Sequence, residues 1–182
     1  MNRKVIHAPL DDIVIRSLRS GDMVNFTGTV FTARDRAHQR FSELIKAGRQ
    51  LPFEPGGQVI YYAGPSPTPP GKIIGAAGPT TSYRMDSFTE LMLEAGIKGL
   101  IGKGKRSAEV RDQLVRFNAV YFATFGGAAA YLQKKIVATE LIAFPDLGPE
   151  AVYRLDVVDF PLIVVNDVHN GDLYESAILK QR

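Results

Sequence analysis

The sequence predicts one α/β domain over residues 1–182, with a mixed, largely parallel central sheet. Three observations predict it. Strand-like and helix-like segments alternate from residue 23 to residue 135. Extended segments dominate from residue 137 onward. With 182 residues, 45% of them apolar, the chain is long enough for one sizeable core.

The elements follow in order. Val5 to Ser20 starts extended, and Asp11-Asp12 opens a short helix or turn; Asp12 to Arg16 fits strand and helix equally. Gly21-Asp22 marks a turn, and Met23 to Phe31, rich in β-formers, reads as a strand. Thr32-Ala33-Arg34-Asp35 has the pattern of a capping box, with Thr32 as the cap. The helix after it carries Ala37, Phe41, Leu44 and Ile45 on one stripe and stops at Gly48. Leu51 to Gly57 is a loop and Gln58 to Ala63 a strand. Gly64 to Gly71 is a rigid, proline-rich connection between two strands.

The next stretch organises the chain. Lys72 to Ala77 is expected as a strand that collapses into small residues, and Gly78-Pro79-Thr80-Thr81-Ser82 as a turn. A helix follows from Ser87 to Ala95, with Phe88, Leu91, Met92 and Ala95 on one face. Thr80, Thr81 and Ser82 are all good N-caps, and free N–H groups at a helix start attract carboxylate or phosphate. Arg84 adds a fork of donors suited to a carboxylate. A capped surface helix with a solvated arginine explains the same residues.

Gly96 to Ile101 is a short strand; Ser107 caps a helix bearing Val110, Leu114 and Phe117. Ala119 to Phe125 is a buried strand, and Gly126 to Ala130 opens a helix reaching about Lys135. Residues 137–144, 151–158 and 161–165 are extended. Asn166-Asp167 begins a final turn; an acid at a strand end can hold a metal, but Asn and Asp are ordinary turn residues there.

Composition narrows the function. The charge is 22 − 19 = +3, too weak and too dispersed to argue for nucleic acid, and compatible with an acidic small molecule. No run approaches the length of a membrane span, and Met1 to Val5 is not followed by an apolar signal core, so the expected location is the cytoplasm. There is no cysteine. Disulfides, thiolate zinc sites and cysteine-ligated iron–sulfur clusters within this chain are thereby excluded, and no metal ligand is expected here.

Four βα junctions carry polar or small residues: Thr32 to His38, Gly78 to Arg84, Gly102 to Ser107 and Phe125 to Ala130. Ligands of open α/β sheets bind beyond the carboxyl ends of the strands. Arg34, Arg84 and Lys103 would then converge on one polyanionic ligand; as ordinary surface cations they would not. Arg34 and His38 are four apart on one helical face. Spacing alone leaves His38 as an acid, a base, an orienting group, or a surface or capping histidine. His7 and His169 read as structural or exposed. Gly99 to Lys105 fits the first seven positions of the phosphate-binding loop, but Arg106 stands where the magnesium-binding Ser or Thr belongs. That near-match sustains a nucleotide-binding or regulatory module as an alternative of a different class.

Taken together, the motifs resemble the β subunit of class I, iron–sulfur-dependent fumarate and tartrate hydro-lyases, equivalent to the C-terminal domain of single-chain class I fumarases. The likeness rests on Gly21-Asp22 with Phe26-Thr27-Gly28-Thr29-Val30, Thr32 to His38, Gly78 to Asp86, Gly102-Lys103-Gly104, Gly126 to Ala130, and Asp159 to Val164 with Asp167. It covers nearly the whole chain in order. The resemblance implies a swivelling β/β/α three-layer domain. It also implies a cysteine-bearing α subunit that carries a four-iron four-sulfur cluster, in a heterodimer or heterotetramer. It makes Arg34, Arg84 and Lys103 binders of the substrate carboxylates, with Thr81 beside them. Thr80 becomes the base at C3, and His38 falls in a motif with a catalytic role. The implied reaction is reversible hydration of fumarate to (S)-malate, with tartrate or mesaconate as alternative substrates. Dehydration of malate suits such a site: cations stabilise the charge that grows as the C3 proton leaves, and they favour a threonine alkoxide.

Overall fold

In the computed structural model, residues 3–125 and 127–179 are described. The chain runs β1 (Lys4–His7), α1 (Asp12–Ser17), β2 (Met23–Thr32), α2 (Asp35–Lys46), β3 (Val59–Tyr61), a 3-10 turn (Ser82–Met85) and α3 (Asp86–Glu94). It continues with β4 (Gly99–Gly102), α4 (Ala108–Arg116), β5 (Val120–Ala123), α5 (Ala129–Gln133), β6 (Ile136–Ala143), β7 (Val152–Asn166) and α6 (Leu173–Leu179). Gly126, expected to open a helix, lies outside the described residues.

The sheet is mixed and largely parallel. Strands β1 to β5 lie side by side in sequence order and parallel; β7 runs antiparallel beside β5, and β6 antiparallel beside β7. β7 also pairs antiparallel with β2, from Met23 opposite Ile163 to Phe31 opposite Arg154. That pairing joins β2, β3, β4, β5 and β7 into a closed ring. Side chains alternate across it with the two-residue period of a strand. Val59, Tyr61, Ile101, Phe122, Leu162 and Val164 fill one core with Phe26 and Val30. Ile60, Tyr62, Leu100, Tyr121 and Val165 belong to the other, where Phe41 of α2, Met92 of α3 and Leu114 of α4 cover them. Each such large side chain contributes about 1.5–3 kcal/mol by leaving water.

The helix caps are partly as expected. Asp11 accepts from the Val14 N–H at 2.7 Å and Ser107 from the Val110 N–H at 3.2 Å. Thr32 is not a cap. It ends β2, fully buried, where its Oγ1 donates to the Ala151 carbonyl (3.3 Å) and accepts from the Tyr153 N–H (2.9 Å). A long-range bond has taken the oxygen that a capping box would use.

Two further expectations are corrected. Lys72 to Ala77 forms no strand. Its backbone folds back on the proline-rich connection, with Ser66 N–H donating to Ala76 O (3.0 Å) and Ala76 N–H to Ser66 Oγ (2.9 Å). Gly75 is required there, because a Cβ would sit 2.0 Å from Ser66 O. The extended stretches at 151–158 and 161–165 are one fifteen-residue strand, β7, continuous through Asp159 and Pro161. Asp159 takes φ +50°, and its N–H reaches Thr27 Oγ1 at 3.1 Å.

Candidate active site

The carboxyl ends of β2, β3 and β4 meet at one edge of the ring. The β2 end delivers Arg34, an extended residue that stands where a cap would and offers no side-chain cap bond. The first turn of α2 is capped from elsewhere: Glu150, at the end of the β6–β7 connection, accepts from the Arg36 N–H at 3.0 Å. Its other oxygen lies 3.5 Å from Arg34 Nη2. The stem of Arg34 runs against Gly64, where a Cβ would come within 3.1 Å of its Cδ and Nη1. Arg34 Nε is buried with no hydrogen-bond partner.

The ends of β3 and β4 are bridged by the stretch from Pro79 to Ser82. Thr80 N–H donates to Tyr62 O (2.6 Å), Lys103 N–H to Thr80 O (3.3 Å) and Ser82 N–H to Lys103 O (3.0 Å). The segment therefore extends the sheet, with Thr81 paired in parallel to Lys103. The 3-10 turn that follows aims Arg84 back at Thr80: Arg84 Nη2 donates to Thr80 Oγ1 at 2.5 Å. The same nitrogen is 3.4 Å from Asp35 Oδ2, and Arg34 Nε is 4.0 Å from that oxygen. Asp35 thus sits between the two guanidinium groups. Arg84 and Lys103 are exposed, and Arg34, Thr80 and Thr81 half-buried. The structure brings Arg34, Thr80, Thr81, Arg84 and Lys103 to one strand-end edge, on three separate junctions.

His38 is placed differently. It is 1% exposed, with its ring packed among Phe41, Tyr62 and Phe88. Nδ1 is 2.9 Å from the Arg34 carbonyl, which can only accept, so Nδ1 carries the proton. Burial pushes its pKa down to about 4; the Arg106 charge pushes the same way, against the Arg34 carbonyl and Asp35. His38 is a neutral group beneath the backbone of Arg34 and does not share the surface on which the cations lie.

Comparison with known proteins places this chain in a family. The family model described as "Fumarase C-terminus" matches residues 3–177. The chain belongs to the fumarase C-terminus family. It is 39% identical over 160 residues to "Fumarate hydratase class I, anaerobic" of Escherichia coli (strain K12), covering 87% of this chain and 29% of that protein. It is equally identical over the same length to "Fumarate hydratase 2" of Leishmania major, again over 87% of this chain and 28% of that protein. The chain thus spans about three tenths of the length of these relatives. A third relative is comparable in size: the chain is 36% identical to the "Putative L(+)-tartrate dehydratase subunit beta" of Methanocaldococcus jannaschii, over 88% of this chain and 86% of that protein.

Within this fumarase C-terminus domain, the Gly99–Lys105 stretch has a packing explanation. Gly99 to Gly102 is the buried strand β4. A Cβ on Gly102 would lie 1.9 Å from Ser82 Oγ and one on Gly99 2.9 Å from Val59 Cγ2. Arg106, at the eighth position, is buried. It donates to Asp86 (Nε, 2.7 Å) and Thr89 (Nη2, 2.5 Å) while lying over the rings of Tyr62 and Tyr121. Sequence reasoning also missed Asp35 and Glu150 as partners of the cations. Asp35 was visible beside Arg34. Glu150 gave no local signal, since its partner is more than a hundred residues away.

Asp167 follows the turn reading: it accepts from the N–H groups of Ser20, His169 and Gly171. Among the described residues no group of three His, Asp or Glu side chains is arranged to hold a metal ion. No helix there is long and apolar enough to cross a membrane.

Proposed function

We propose that this chain is the β subunit of a class I fumarate hydratase, interconverting fumarate and (S)-malate with a cluster-bearing partner. The observation that carries the reading is the Arg84–Thr80 hydrogen bond at the strand ends, with Arg34 and Lys103 on the flanking junctions. A C4 dicarboxylate needs at least two cationic clamps. Arg34, Arg84 and Lys103 supply them, and the two guanidinium forks suit carboxylates. Thr81 lines the same edge.

Thr80 takes the proton from C3. A threonine hydroxyl is a poor base in water, but a guanidinium donating to its oxygen favours negative charge there. The electron pair left by the proton spreads onto the adjacent carboxylate, where the cations stabilise it, then forms the C2–C3 double bond as the C2–O bond breaks and hydroxide leaves, a departure the partner's iron would assist as a Lewis acid. His38, neutral and bonded to the carbonyl of Arg34, orients that residue.

Relatives called class I fumarate hydratases imply an iron–sulfur cluster, and the residues of this chain do not fit one. It has no cysteine to ligate iron. The cluster belongs on a cysteine-bearing α subunit, and the substrate in the cleft between the two chains, in a heterodimer or heterotetramer of the cytoplasm. The family match over residues 3–177 and the mixed sheet support reading residues 1–182 as one domain of the swivelling β/β/α type.

The match along most of the tartrate dehydratase β subunit's length favours a second reading, in which the substrate is L(+)-tartrate. The assembled enzyme should be assayed on malate, fumarate, tartrate and mesaconate. The highest kcat/KM on malate and fumarate is expected; preference for tartrate would move the assignment to the second reading. This chain alone, given ferrous iron and sulfide without oxygen, should remain inactive. Activity without a partner would rule out the two-chain arrangement.

A further inference from the structure

We propose that Ser82 and Tyr121 are positioning residues for Lys103, a buried hydroxyl pair that fixes the turn from which its ammonium reaches the substrate. The proposal rests on the reading of Lys103 as a carboxylate clamp. Lys103 follows the last residue of β4, and Gly104 (φ +85°) turns the chain toward α4. Ser82 holds Lys103 from both sides of its backbone. Ser82 N–H donates to Lys103 O at 3.0 Å, and Ser82 Oγ accepts at 3.1 Å from the Lys103 N–H, which it shares with Thr80 O at 3.3 Å.

The proton inventory fixes the rest. Tyr121 Oη lies 2.9 Å from both the Gly104 carbonyl and Ser82 Oγ. The carbonyl can only accept, so the phenol proton goes to it, and Ser82 donates its own proton to Tyr121. The relay therefore runs from Lys103 N–H through Ser82 and Tyr121 to Gly104 O, closing a loop around the Lys103–Gly104 peptide.

Ser82 and Tyr121 are both 0% exposed. Their hydrogen bonds go to each other and to the backbone of this turn, and an apolar pair of the same shape would leave the Gly104 carbonyl without its phenol donor. The pair is locked in place as well. Gly102 has no side chain where a Cβ would strike Ser82 Oγ, and the Arg106 guanidinium lies 5.1 Å from the centre of the Tyr121 ring. Burial raises the Tyr121 phenol well above its ordinary range, so it stays a neutral donor at any working pH.

The test is a mutant cycle in the assembled enzyme, assayed on malate. Lys103→Ala is expected to cut kcat/KM on the order of 10²-fold. Tyr121→Phe and Ser82→Ala should each cut it about tenfold, mostly through KM, as expected for a misplaced clamp. In the Lys103→Ala background the same two changes should have less than a twofold further effect, because their route to substrate is gone. Thermal unfolding of each variant, measured in parallel, shows that it is folded. Near-normal activity in Lys103→Ala would defeat the clamp reading itself. If Lys103→Ala is impaired but Tyr121→Phe and Ser82→Ala are not, or if their losses persist undiminished without the lysine, the positioning role is overturned.

Discussion

Glu150 reaches across the fold to Arg34, with Oε1 3.5 Å from Nη2, while its Oε2 accepts from the Arg36 N–H at 3.0 Å. One carboxylate thus caps α2 and holds the arginine at its start. A negative group at a helix N-terminus is favourable, and a charge-assisted bond is stronger than a neutral one. Glu150→Ala removes both effects. It should lower stability by about 1 kcal/mol and kcat/KM by about tenfold. Urea titration and steady-state kinetics on malate check the two numbers; a variant that loses stability but keeps its KM would show that Arg34 does not need this partner.

The roles proposed for Arg84 and Thr80 can be told apart by kinetics. Thr80→Val keeps the shape and removes the oxygen that accepts from Arg84. Turnover should fall by a factor on the order of 10² or more, with KM little changed. Arg84→Ala should lower kcat/KM to a similar extent through both parameters. Single-turnover assays separate the two, and full turnover in Thr80→Val would remove it as the base.

His38 gives the stability a definite pH dependence. The folded chain refuses a proton on this ring until about pH 4, whereas the unfolded chain takes one near 6.5. The contribution is complete above pH 6.5 and lost as the pH falls toward 4, on the order of 3 kcal/mol. In His38→Gln that part of the acid sensitivity should vanish. Chemical denaturation midpoints taken between pH 4 and 7 measure it, and parallel curves for the two proteins would contradict the assignment.

Arg106 carries a buried charge whose partner is Asp86. Arg106→Ala leaves that carboxylate unpaired, and it also strips the Tyr62 and Tyr121 rings of the group lying over them. A loss of about 3 kcal/mol or more is expected, read from the shift of the unfolding midpoint. A change below about 0.5 kcal/mol would mean that solvent reaches this pair freely.

What was legible in the sequence was local. The apolar stripe of α2, the Ser107 cap and the cations at successive junctions all depend on neighbours a few residues apart. So does Thr32-Ala33-Arg34-Asp35, which misled, because Thr32 is claimed by the backbone at Ala151 and Tyr153. The run from Lys72 to Ala77 has strand-like residues but finds its partners in Ser66 and, through Ala77 O, in the Tyr61 hydroxyl at 2.6 Å. Glu150, Tyr121 and Arg106 were silent for one reason: each acts on residues far from it in the sequence, outside the reach of any local pattern. The cationic edge was readable as a list of residues, whereas the carboxylates and hydroxyls that hold it were not.

The closing of that ring also bears on how the chain is made. β2 is synthesised early, yet its partner β7 begins at Val152, after every other strand of the sheet has been completed. Until then the nascent polypeptide carries an open seam along β2 and β5, with unsatisfied strand edges that invite pairing with other chains. Most contacts between strands therefore wait for β7, and such long-range pairing folds slowly. Ribosome-bound chains arrested before Val152 should be cut readily by protease along residues 23–123, and those extended past Asn166 should resist. The seam makes the docking of β7 the step at which folding is won or lost in the cell.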